Sequence, residues 1–303
     1  MPELEPPAEW RPTQAVEDPV LNSPYEEPSW YWRYQDGVPQ KMRGRRPAMY
    51  WYQTKKVGEA QQDIWAEEQA DELALVNRLR ADVGRWRERD YEKASKVTKD
   101  LLAWWRRKDA PRRLFFCQIE AVETLIYLLE LGLTGALSQA RKKREVTQED
   151  LARLLAGQRP SFHLASEGSW PRLVDPPNEP GLLPLPRLGC KMATGAGKTV
   201  VMAMLIAWAF CNRGRNRGSS WFPSAVLVCA PNLTVRERLQ VLKPEDAKNY
   251  YDEFEIVPPK YRELLNDGKV LVTNWHAFAP KSEHSEGGTS YRVVDKGEET
   301  SDA

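Results

Sequence analysis

The stretch GCKMATGAGKTVVMAMLIAW, residues 189–208, decides how this chain is read. Its centre, ATGAGKT at 193–199, follows a short β-type run, Leu188–Met192, and leads into an apolar one, Thr199–Cys211. The first run is predicted to be a strand and the second a helix, which is the setting a phosphate-binding turn requires. Gly195 and Gly197 let the backbone wrap an anion without interference from Cβ. The amides of Thr194, Gly195, Ala196 and Gly197, at the start of a helix, supply donors of the right sign. Lys198 would reach the outer phosphates, and the Thr199 hydroxyl would bind Mg²⁺. Lys198 and Thr199 are therefore the candidate catalytic residues, with Thr199 also the candidate metal ligand. The strict form of the motif has glycine six residues before the lysine; this chain has Met192 there.

Downstream, Ala225–Ala230 and Lys269–Thr273 are strand candidates, with helical patterns around Thr234–Leu242 and Pro259–Leu265 between them. Strands alternating with helices predict an α/β fold, a parallel sheet with helical crossovers. Upstream, Leu114–Leu131 is apolar at helical spacing. The run RKKR at 141–144 and a short helix from Thr147 to Gly157, opened by an N-cap pair with Asp150, follow it. Seven prolines from Pro160 to Pro186 then make a long irregular connection, read as an insertion at about 134–187.

Residues 59–110 read as a helical region. Leu75, Val76, Leu79, Val83 and Trp86 recur every three or four positions, as do Tyr91, Ala94, Val97, Leu101 and Trp105, which predicts an antiparallel helical pair. Before it, 31–58 is aromatic and basic: in WYWRYQDGVPQKMRGRRPAMYWYQTKK, from Trp30 to Lys56, aromatics alternate with seven cations. Such a segment can stack bases and neutralise phosphates, or form a small β-rich cap. Residues 1–30 carry seven prolines and seven acids against one arginine, the composition of an acidic, extended arm.

Composition bounds the class. Across 303 residues, 44 Lys and Arg face 43 Asp and Glu, a net charge of +1, so a polybasic tail or an acidic chaperone is excluded and any contact with DNA must be local. The longest apolar run, Val200–Cys211, is well short of the roughly twenty residues needed to cross a bilayer. No basic-then-apolar leader opens the chain, and a cytoplasmic protein is expected. Cys117, Cys190, Cys211 and Cys229 are far apart and read as buried core thiols. With His163, His276 and His284 equally scattered, no zinc site is expected.

Taken together, these blocks resemble the helicase-nuclease subunit of type III restriction enzymes, a DEAD/DEAH-type superfamily 2 motor. MATGAGKT is similar to that superfamily's motif I, which commonly lacks the first glycine. FFCQIEAVETL resembles its upstream glutamine motif, which implies that Gln118 reads the adenine edge through the amide donor and acceptor; without the phosphate-binding motif downstream, Gln118 reads instead as a polar residue on an amphipathic helix. AVLVCAPNLTVRERL resembles motif Ia, in which Asn232, Thr234 and Arg236 would contact the DNA backbone, although an ordinary βα loop with a capping Asn or Thr reads the same way. VLVTNWHAF resembles motif Ic, in which Thr273 and Asn274 would lie near the same strand of DNA; Trp275 and His276 are expected to pack rather than react.

The resemblance implies ATP and Mg²⁺ as cofactors, DNA as partner, a modification methyltransferase subunit as a further partner, and a RecA-like motor domain over 111–303. It also implies parts that these residues do not offer. The D-E-x-H motif that holds Mg²⁺ and positions water has no counterpart, since DELA at Asp71 and DEFE at Asp252 precede the Ic-like block and end no apolar strand. A second motor domain and a nuclease centre are also lacking. The expectation is an N-terminal part of a longer motor that binds ATP but hydrolyses it poorly. Two alternatives stay open. One is a small P-loop NTPase, which would need an acid at a strand end after the motif. The other is a non-catalytic nucleic-acid-binding protein using residues 30–56 and the loop NRGRNRG at 212–218.

Overall fold

The computed structural model describes residues 16, 18–35, 38–54, 67–131, 174–175, 185–186, 188–219 and 222–278. The RKKR run, the helix predicted from Thr147 and most of the proline-rich connection lie outside them. The described residues contain both helix and strand, with one small parallel sheet of two strands. They gather into two compact units, one from 1–93 and 115–191, the other from 94–114 and 192–303.

In the first unit, β1 (Trp30–Gln35) pairs antiparallel with β2 (Val38–Arg43), and β3 (Met49–Thr54) with β4 (Glu67–Glu72). Asn22 fixes where β1 begins. Its Oδ1 accepts from the amides of Ser29 (2.9 Å) and Trp30 (3.0 Å), and its Nδ2 donates to the Trp30 carbonyl (2.7 Å). Strand β4 corrects the expectation of continuous helix from residue 59. The apolar stripe starts only at Leu75; EEQADE before it has no face to bury, and its backbone groups pair with β3 instead. Helix α1 (Ala74–Glu88) then buries Leu79, Val83 and Trp86.

Helix α2 (Lys96–Trp105) belongs to the second unit, whereas α1 packs with α3 (Phe116–Ile126) in the first, so the predicted helical pair is split between units. One further pair, β5 (Val174–Asp175) with β6 (Leu185–Pro186), is antiparallel.

The second unit is built around α4 (Lys198–Arg215), which buries Val200, Val201, Ala203, Met204 and the run Ile206–Asn212. A helix apolar on nearly every side is a central one. Its polar attachments are specific: Thr98 Oγ1, fully buried on α2, accepts from Trp208 Nε1 (3.0 Å) and Asn212 Nδ2 (3.1 Å). Trp105 Nε1 donates to the Ile256 carbonyl (2.7 Å).

Strands β7 (Ala225–Ala230) and β8 (Lys269–Asn274) are parallel, as the alternating pattern predicted, in register from Ala225↔Lys269 to Ala230↔Asn274. The third candidate, Leu188–Met192, is not a strand: among the described residues β7 and β8 pair only with each other, and no described strand receives its backbone groups. The β7–β8 pair buries Val228, Ala230, Val270 and Val272 on one face. On the other, Leu227 and Leu271 stand opposite each other, 54% and 59% exposed.

That open face accounts for one cysteine. Cys229 is exposed on it, and Cys117 and Cys190 are exposed as well, so of the four thiols expected in the core only Cys211 is buried. Burial pushes the Cys211 thiol up to about 12.

Helix α5 (Leu233–Arg238) follows β7, and one-turn helices at Tyr250–Glu253 and Arg262–Leu265 lead to β8. Two carboxylates tie these segments down. Arg262 donates to Asp252 through Nε and Nη2 (both 2.9 Å) and holds its carboxyl below the usual range. Asp100 on α2 is held low as well: burial opposes its charge, but hydrogen bonds from Lys260 and from Tyr261 (2.7 Å) outweigh it. A carboxylate with a lowered folded-state pKa stabilises fully above its unfolded value, about 4, and loses that contribution as pH falls through the folded one. The urea midpoint should therefore fall between pH 5 and pH 3, and fall less in Asp252→Asn. An equal fall in both proteins would contradict the assignment.

Candidate phosphate-binding site

The candidate site is the turn 193–197 and the first turn of α4. Gly195 and Gly197 both adopt left-handed backbone, with φ +77° and +75°. A Cβ at Gly195 would meet nothing within 4 Å, so conformation rather than space requires glycine there. Gly197 caps α4, its carbonyl accepting from Val200 (3.0 Å) and Val201 (3.2 Å). The Ala196 amide closes the turn on the Ala193 carbonyl at 3.3 Å.

The donors left over define what the turn can bind. Among the described residues, the amides of Gly195, Gly197, Lys198 and Thr199 have no acceptor. They lie at the positive end of an 18-residue helix, where unmet amides and the helix dipole favour an anion. Thr194 is exposed, Ala196 and Thr199 are half-buried, and Lys198 is exposed. The Lys198 Nζ donates to the Ala193 carbonyl across the turn at 2.9 Å. The ammonium is thus held over the loop by one neutral acceptor, and an arriving phosphate oxygen would replace that bond with one to an anionic acceptor.

The remaining candidate residues are placed as follows. Gln118 lies in the first unit, 5% exposed, and its Oε1 accepts from the Phe115 amide at 2.8 Å, capping α3. Reading adenine with both amide atoms would take Oε1 from that cap. Asn232 caps α5, its Oδ1 accepting from the Val235 amide at 2.8 Å, with Thr234 exposed and Arg236 half-buried.

Ala230↔Asn274 pairing brings the ends of β7 and β8 side by side, and so places the Ia-like and Ic-like blocks at one end of the sheet. Thr273 and Asn274 are nonetheless buried, at 8% and 3%, and the Asn274 Oδ1 accepts from the His276 amide at 3.1 Å. As placed, both offer little surface to a phosphate, and Asn274 is taken up by the residues that follow β8. Among the described residues, no group of three or more His, Cys, Asp or Glu could hold a metal, and no helix is long and apolar enough to cross a membrane.

Sequence reasoning missed the buried carboxylate Glu123. Fully inaccessible, it accepts from Arg87 (Nη2, 2.6 Å) and from the Tyr91 hydroxyl (2.6 Å). A charged residue on the apolar face of FFCQIEAVETLIYLLEL was the available signal, since a buried acid needs a paired cation.

Comparison of the chain with protein-family models, with curated proteins and with solved structures gives no match.

Proposed function

We propose that the chain binds the triphosphate of ATP, with Mg²⁺, on the turn 193–197 and the first residues of α4. In this reading it is the first part of a DNA-translocating motor of the type III restriction class. The observation that carries the reading is the pair of left-handed glycines before α4, with four amides that find no acceptor among the described residues and Lys198 exposed beside them. The parallel β7–β8 pair and the central α4 support a RecA-like arrangement.

Thr199, in the first turn of α4, would share Mg²⁺ with phosphate oxygens, an ion that supplies charge neutralisation when bound. The turn's own work is to hold the phosphates by its amides and to bring Lys198 from Ala193 onto their outer oxygens. Asn232, Thr234 and Arg236, around the start of α5, would position a DNA backbone without reading its sequence. A methyltransferase partner rests on the family resemblance alone.

A complete small NTPase is the weaker reading: parallel sheets bury both faces, and here Leu227 and Leu271 stay exposed. The test is a titration with a fluorescent ATP analogue and Mg²⁺. A saturable isotherm, displaced by inorganic triphosphate, is expected. Because no D-E-x-H acid is present in these residues, ATP turnover should not exceed that of Lys198→Ala. Absence of binding at millimolar nucleotide would refute the proposal.

A further inference from the structure

The aromatic and basic segment acquires a definite geometry in β1 and β2. Side chains two apart on a strand share a face, and residues directly opposite lie about 5 Å apart at Cβ. The register Trp30↔Arg43 and Trp32↔Lys41 therefore puts two indoles and two cations on one face, each indole opposite a cation. Trp30 is 37% exposed, Lys41 and Arg43 are exposed, and the Lys41 Nζ lies 5.1 Å from the centre of the Trp30 ring. Trp32 is half-buried, its Nε1 donating to the Asp18 carbonyl at 3.3 Å, which leaves Trp30 as the more open ring.

The charges around this face are uneven. From residue 30 to 46 there are five cations and one acid, Asp36. Arg45 is engaged by Glu120 and by Glu27 (3.4 Å). Arg33, Lys41, Arg43 and Arg46 form no ion pair with any described carboxylate. A cap that only covered a neighbouring core would have no use for cations that no described carboxylate pairs with, beside an exposed indole. A polyanion with accessible flat rings matches both features: stacking on the indole and phosphate contact by the cations.

We infer that the Trp30/Trp32/Lys41/Arg43 face of the β1–β2 hairpin binds single-stranded nucleic acid, base on indole and phosphate on cation, independently of nucleotide. Single strands are favoured over duplex because only an unpaired base can offer its face to Trp30. Lys41 and Arg43, two residues apart, lie about 7 Å from each other along the strand, a spacing that lets each meet its own phosphate. The inference does not rest on the ATP reading, and Lys198 separates the two.

The test is fluorescence anisotropy of the whole chain with a labelled oligothymidylate and with its duplex, over a range of salt concentrations. The expected result is tighter binding to the single strand. Trp30→Ala should weaken it about 5- to 150-fold, the range for loss of one stacked base, and Trp30→Phe should restore most of it. Lys41→Gln/Arg43→Gln should flatten the slope of log affinity against log salt by about 1.4, roughly 0.7 for each lost phosphate contact. Lys198→Ala should bind as the wild type does. Affinity untouched by both the Trp30 and the Gln variants overturns the proposal. So does duplex binding equal to single-strand binding and indifferent to Trp30. Should Trp30→Ala fail to fold, the Trp30→Phe and Gln variants decide the matter through rank order and slope.

Discussion

Glu123→Ala is expected to lower stability by about 3–5 kcal/mol, the cost of removing one partner from a buried ion pair. The carboxylate is fully inaccessible and answers two donors: Arg87, through Nε (3.1 Å) and Nη2 (2.6 Å), and the Tyr91 hydroxyl. Its loss leaves a guanidinium only 15% exposed, retaining a 3.4 Å contact with Glu27 and a place over the Phe116 ring. That remainder is too weak to offset desolvation. Removing the whole set should cost far less, because Arg87→Met/Tyr91→Phe/Glu123→Leu leaves no orphaned charge or donor. Urea denaturation of the single and triple variants decides this. A Glu123→Ala protein within 1 kcal/mol of wild type would show that the network does not hold α1 to α3.

The second large effect lies behind the candidate site. Phe210, on α4 and 1% exposed, fills the space against Gly268, where an added Cβ would come within 2.1 Å of the ring. Helix α4 is thereby seated at the start of β8. Phe210→Ala should cost about 3–5 kcal/mol, as truncation of a buried aromatic does. Gly268→Ala alone should cost at least about 1–3 kcal/mol through overpacking. On the Phe210→Ala background the same Gly268→Ala change should cost little, since the obstructing ring is gone, and the double mutant should be more stable than the sum predicts. Strict additivity would mean that the two positions do not share this space.

These residues mark what could be read from the sequence. The helix Lys198–Arg215 and the strands β7 and β8 were legible because burial writes itself into apolar spacing, and the turn 193–197 because left-handed backbone selects glycine. Contacts between distant residues left no such mark. Nothing in EEQADE announces a strand; its pairing with β3 depends on chain about 18 residues away. Leu188–Met192 has strand composition but no described strand beside it, so composition misled.

Among the candidate binding residues, the turn kept the exposure its proposed role needs. Gln118, Thr273 and Asn274 are buried, with Gln118 and Asn274 also occupied in local hydrogen bonds; a motif pattern does not report which neighbour a polar atom has already taken. Asn232 shows the overlap plainly, since the side chain that would face DNA is the one that caps α5.

The proposed function depends on Lys198 leaving the Ala193 carbonyl for a phosphate oxygen. It is tested most directly by titrating wild type and Lys198→Ala in parallel with a fluorescent ATP analogue and Mg²⁺. Loss of a charged hydrogen bond of about 1.5–3 kcal/mol predicts an affinity about 10- to 150-fold lower in the variant, with the fold unchanged by circular dichroism. Equal affinity in the two proteins would contradict it.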